Sequence, residues 1–132
     1  MPATRSVHSL LAAVLACLTT VGDARAQAGY PQRPIRMVVP FVPGGPTDTV
    51  GRAIAPRMGE ALGQQIVIDN RGGGGSIIGT DAVAKSAPDG YTLLMVSSAI
   101  GINPGVYPKL PYDPVKDFSP VTLVNTGPLV LV

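Results

Sequence analysis

Three short apolar runs, separated by segments with a helical repeat, constrain this chain more than any other feature. Ile35-Arg36-Met37-Val38-Val39-Pro40-Phe41 is rich in β-branched residues and is stopped by proline, the pattern of a buried strand. Ile66-Val67-Ile68, within residues 65–69, gives a second, and Leu93-Leu94-Met95-Val96, within residues 91–97, a third. Between the first two, Val50, Ile54, Met58 and Leu62 recur at every fourth position, with Ala53 and Ala61 beside them. That spacing predicts a helix over residues 48–62, with Thr47 or Asp48 as its cap and Gly63 as its stop. Gly51 and Pro56 work against it, because an interior proline removes a hydrogen bond. A second helix is expected from a Ser76 cap to Ala87, burying Ile77, Ile78, Val83 and Ala84. Pro88-Asp89-Gly90 then turns the chain into the third strand.

The order β-α-β-α-β implies right-handed crossovers and a parallel sheet with flanking helices, an α/β fold. Residues 98–118 read as mostly irregular, with five prolines falling between positions 104 and 120, and residues 121–124 read as a fourth strand. The closing run Pro128-Leu129-Val130-Leu131-Val132 starts another strand-like segment with no polar cap. The chain is therefore expected to be the first part of a longer protein.

The first residues read as an address. Arg5 precedes a largely apolar stretch over residues 10–21, and Ala24-Arg25-Ala26 follows. A short charged region, an apolar core and a small-x-small site make a secretory signal peptide over residues 1–26, cut after Ala26 or, slipped, after Ala28. The apolar stretch is short for a bilayer span, which takes about 20 residues. A lipoprotein acylated at Cys17 and an uncleaved anchor are the alternatives. Residues 27–132 are then expected to be the mature, exported α/β chain.

Cleavage at that site removes the only Cys, Cys17, and the only His, His8. No thiol nucleophile, imidazole base or Cys/His metal site is left, so no metal, cofactor or catalytic group is expected. Ser97 or Ser98 as a nucleophile would lack a base. The formal net charge is +2, with the signs interspersed, which gives no footprint for nucleic acid.

Open α/β sheets bind ligands beyond the carboxyl ends of their strands. Three loops lie there. Pro43-Gly44-Gly45-Pro46-Thr47-Asp48 leads into a helix, where close-approaching backbone and free N–H groups suit a carboxylate. Every βα unit also needs such a turn for purely structural reasons. Arg71-Gly72-Gly73-Gly74-Gly75-Ser76 matches neither a G-x-G-x-x-G nor a phosphate loop, and reads as a turn or a minor ligand contact. Ser97-Ser98 offers two hydroxyls at the third strand end, for an anion or for capping a turn.

Several ordered motifs resemble one family. Tyr30-Pro31-x-Arg33-Pro34-Ile35, Val39-Pro40-Phe41-x-Pro43-Gly44-Gly45-x-x-Asp48 and Asn70-Arg71 are followed by Ala82-x-Ala84-Lys85-x-Ala87-Pro88-Asp89-Gly90-Tyr91-Thr92-Leu93. Ile102-Asn103-Pro104, Lys109-Leu110-Pro111-Tyr112-Asp113 and Lys116-Asp117-Phe118-x-Pro120-Val121 complete the series. Together they are similar to the substrate-binding receptors of tripartite tricarboxylate transporters, the Bug family. The resemblance implies one incomplete lobe of a type II periplasmic-binding-protein-like fold. It implies a solute receptor, not an enzyme. Its ligand would be a small organic acid: a dicarboxylate, a tricarboxylate, an acidic amino acid or an aromatic acid. Its partners would be the membrane permease subunits. Carried over by motif, ligand contacts fall to Gly44, Gly45, Thr47, Asp48, Ser97 and Ser98. The family commonly shows Asn-Arg-Pro-Gly-Ala-Gly-Gly where this chain has Asn70-Arg71 followed by four glycines, which loosens that loop in the unfolded state. An α/β enzyme using Asp48 or the serines, and a non-binding interaction module, are the readings from other classes.

Overall fold

The structure, a computed structural model, describes residues 29–127. The signal-peptide segment and the run 128–132 lie outside the described residues. The elements named below all belong to the unit Arg33–Val132.

Strand β1 is Ile35–Val39, helix α1 Pro46–Leu62 and strand β2 Ile66–Asn70. A 3-10 turn, Gly74–Ser76, leads into helix α2, Ile77–Ala84; strand β3, Thr92–Leu94, and helix α3, Ala99–Val106, follow. The three strands form a parallel sheet in the order β2-β1-β3. Met37 pairs with Ile68 on one side and with Leu93 on the other. The ladder reaches past both ends of β1: Ile35 and Arg36 amides donate to the Gln65 and Tyr91 carbonyls, and the Arg71 and Met95 amides to those of Val39 and Val38.

β1 is central, so both of its faces are covered, and all of it except Arg36 is buried. Alternation along the strand sorts the two layers. Ile35, Met37 and Val39 face α1 and form the core with Ala55, Ile66 and Met95. Gly51 is the contact point of the helix: a Cβ there would sit 3.7 Å from Ile68, Met37 and Val39 side-chain atoms. The predicted stripe is therefore shifted. Gly51 and Ala55 are buried, Val50, Ile54 and Met58 flank them, and Leu62 is exposed. Val38 and Pro40 point the other way, toward α2. There the backbones of Gly79 and Pro40 touch, and a Cβ on Gly79 would lie 2.7 Å from Pro40 Cβ and 2.6 Å from the Arg71 carbonyl oxygen. Because β1 connects to β2 and β2 to β3 in opposite directions across the sheet, right-handed crossovers place α1 and α2 on opposite faces.

The structure corrects four local expectations. α1 starts at Pro46, with Gly45 as N-cap and no side-chain cap; Thr47 and Asp48 lie inside the first turn. Proline fits there because its missing N–H would have had no helical partner. α2 is shorter than expected and turns Gly79 and Thr80 inward, while Ile78 is exposed, because only a glycine allows the helix so close to Pro40. Ser76 does hold the N-cap position of α2, as expected, although its side chain makes no cap bond. Residues 99–106 are helical despite Pro104, and residues 121–124 pair with no strand among the described residues, with Val121 and Leu123 exposed. Gly63 does end α1, in the left-handed conformation at φ 67°. Pro56 is accommodated on the solvent side of α1.

Two surface motifs gain a physical role. Arg33 bonds Asp89 at 2.9 Å and stacks over the Tyr91 ring at 4.2 Å, tying the start of β1 to the turn before β3. Asp113 accepts from the Val115 and Lys116 amides, while Asp117 accepts from the Asp113 amide at 2.7 Å. Those amides hold the Asp113 carboxyl below the usual carboxylate range.

Candidate functional site at the strand ends

A cleft of about 460 Å³ opens at the carboxyl ends of the three strands. Each predicted loop contributes to it. Phe41, Val42, Gly45, Pro46 and Thr47 come from the first, Gly72, Gly73, Gly75 and Ser76 from the second, and Ser97 from the third, with Pro40 behind. It lies where β1 and β3, neighbours in the sheet, both end. No charged side chain lines it.

Of the six predicted ligand contacts, Gly45, Thr47 and Ser97 line this cleft, and Gly44, Asp48 and Ser98 do not. The main-chain N–H groups of Thr47 and Asp48 lie in the first turn of α1, where no carbonyl lies one turn back to accept them. Ser97 Oγ also accepts from the Ala99 amide at 3.4 Å, a weak turn contact. Ser98 is the exposed N-cap of α3.

Asp48 is buried rather than displayed. Its Oδ2 accepts from the Gly44 amide at 2.8 Å and from Arg52 Nε at 2.8 Å, and its Oδ1 from Asn70 Nδ2 at 2.9 Å. The Arg52 hydrogen bond, then those of Gly44 and Asn70, lower its pKa to about 2. The same pair raises the pKa of Arg52. Asn70 also donates to the Phe41 carbonyl and accepts from Arg52 Nη2 at 3.0 Å. One carboxylate and one amide thus clamp the first loop, the start of α1 and the end of β2. Gly44 sits at φ 81°, which turns its amide toward Asp48. Arg52 and Asn70 had no assigned role in the sequence reading. The four-residue spacing of Asp48 and Arg52 was the available signal, as it makes them neighbours on a helix.

The glycine loop contributes more than expected. Gly72 packs against the first loop, where a Cβ would meet the Val42 nitrogen at 3.3 Å. Gly73, Gly74, Gly75 and Ser76 all have positive φ. Asn103 on α3 donates to the Gly75 carbonyl at 3.0 Å and to Ser76 Oγ at 3.3 Å. A larger groove of about 800 Å³ runs along α1 and the free edge of β2, lined by Arg52, Glu60 and Gln65 among others. It receives no loop from the carboxyl ends of β1 or β3.

A family model described as "Tripartite tricarboxylate transporter family receptor" matches residues 50–132. The chain belongs to this family. It is 46% identical over 127 residues to the protein BugT of Bordetella pertussis, a match covering 93% of this chain and 39% of BugT. Among solved structures it is similar to the periplasmic binding protein BugD, with 45% identity and a TM-score of 0.67 over 69% of this chain and 30% of that one. It is also similar to MatC from Rhodopseudomonas palustris with bound malate (44% identity, TM-score 0.63, 72% and 33% covered). An R. palustris protein solved with adipate matches with 44% identity and a TM-score of 0.62 over 65% of this chain and 29% of that one. The chain thus spans well under half the length of these relatives. The family is one of solute-binding receptors rather than enzymes, and the α/β sheet is one partial lobe of the periplasmic-binding-protein fold.

Proposed function

We propose that this chain forms the amino-terminal lobe, residues 27–132, of a periplasmic receptor that captures a small carboxylate and delivers it to the permease subunits of a tripartite tricarboxylate-type transporter. The observation that carries this reading is the uncharged cleft at the strand ends, edged by first-turn amides of α1 and by the Thr47 and Ser97 side chains. Such a seat holds an anion through N–H and O–H donors and the helix N-terminus, without a counter-charge. Gly45, Thr47 and Ser97 face the ligand in this reading. Gly44 and Asp48 fix the loop from behind, and Ser98 starts the helix beside it. The malate and adipate carried by relatives of similar sequence support a carboxylate as the ligand class. Export by the predicted signal peptide agrees with the periplasmic relatives.

A single lobe presents one wall, and burying most of a ligand takes two. Binding by this chain alone is therefore expected to be weak. Titrating the isotope-labelled chain with succinate, citrate, aspartate and nicotinate tests the reading by amide chemical shifts. Shifts concentrated at Gly45, Thr47 and Ser97 for at least one acid are expected. No shift with any acid, or shifts centred on the groove along α1, would overturn it.

A further inference from the structure

Ser76 is the only described non-glycine residue with positive φ, at 79°. It ends a run of three glycines in the same half of conformational space, where glycine sits at no steric cost. A serine there gives up backbone ease, and what it offers in exchange is its hydroxyl.

That hydroxyl is held in one orientation. Ser76 and Asn103 are both buried, at 2% and 5% exposure. Asn103 Nδ2 donates to the Gly75 carbonyl at 3.0 Å, so the amide cannot flip without setting two acceptors against each other. The same Nδ2 donates to Ser76 Oγ at 3.3 Å. The serine oxygen therefore acts as acceptor toward Asn103, and its proton is left to donate elsewhere. Among the described residues that O–H meets no acceptor. Ser76 lines the same cleft as Thr47 and Ser97.

We propose that Ser76 is a specificity-determining residue of this cleft, donating its hydroxyl proton to a ligand carboxylate oxygen, with Asn103 as the positioning residue that aims it. The inference rests on the carboxylate reading above and deepens it: the second loop, not only the first and third, contacts the acid. A donor aimed at an anionic oxygen favours a carboxylate over its neutral amide, because a hydrogen bond to a charged acceptor is about twice as strong.

The test compares succinate with succinamide on the full chain, by amide-shift titration, for wild type, Ser76→Gly and Ser76→Ala. Both variants should bind succinate about tenfold more weakly, the equivalent of about 1.4 kcal/mol, with succinamide little changed. Ser76→Gly relieves the backbone and should melt no lower than wild type, so it carries the test if Ser76→Ala fails to fold. Asn103→Ala should weaken succinate binding in the wild-type background and add nothing in Ser76→Gly. Unchanged succinate affinity in Ser76→Gly, with wild type binding, overturns the role of Ser76. Absence of any shift in wild type overturns the carboxylate reading itself, and this inference with it.

Discussion

Asn70 Nδ2 donates to Asp48 Oδ1 across 2.9 Å, joining the last residue of β2 to the first turn of α1. Asp48 is 1% exposed, and every donor it meets comes from a different piece of the site: Gly44 from the loop, Arg52 from the helix and Asn70 from the sheet. The loop that supplies the cleft's first wall is thus braced by a buried charge rather than left to its glycines.

Acid should loosen this brace. The Asp48 pKa is about 2, below its ordinary value of 3.8. A carboxyl whose folded pKa is depressed contributes stability that is fully present above the ordinary value and lost as pH falls toward the folded one. Thermal melts at several pH values should show a decline between about pH 4 and pH 2 that Asp48→Asn flattens. At neutral pH the same variant should melt lower than wild type. An unchanged acid profile in Asp48→Asn would mean that other carboxyls control it.

Asn70→Ala removes the donor to Asp48 and Phe41 together. It should cost about 1–3 kcal/mol in chemical denaturation, the range for leaving buried hydrogen-bonding groups without partners. Its amide shifts should spread through residues 41–48 and leave the turn at Asp113 untouched. A loss below about 0.5 kcal/mol would show that water replaces the side chain freely.

Gly79→Ala tests the contact between α2 and the sheet. The added methyl would meet backbone atoms, the Arg71 oxygen at 2.6 Å and Pro40 Cα at 2.9 Å, not a side chain that can swing away. Overpacking of this kind costs about 1–3 kcal/mol or more. Gly51→Ala is the control, since its Cβ would find ordinary contacts at 3.7 Å and the helix gains propensity. Equal melting of the two variants would refute the packing argument.

Pro56→Ala should stabilise. Pro56 is exposed inside α1, and the Arg52 carbonyl one turn back loses its amide partner because of it. Replacement restores that bond and removes a residue that costs about 3 kcal/mol relative to alanine in a helix interior, less the entropy that proline removes from the unfolded chain. A gain of about 1–2 kcal/mol in denaturant unfolding is the expected outcome. A loss would mean that the proline serves the groove along α1.

By itself, the sequence determined the order of elements. The runs at Ile35, Ile66 and Leu93 became three parallel strands, and the fourfold repeat from Val50 became α1, because strand and helix periods are local properties of the chain. It also pointed to the three loops that line the cleft. Only the tertiary structure decided which groups stand behind the cleft and which face it. Asp48 reads as an available acid until Asn70, distant in sequence, closes over it; Ser76 is the cap position that the sequence suggests, but Asn103 from α3, not the helix, engages its side chain. Hydrogen bonds between elements depend on how the sheet brings their ends together, and neither spacing nor composition encodes that approach.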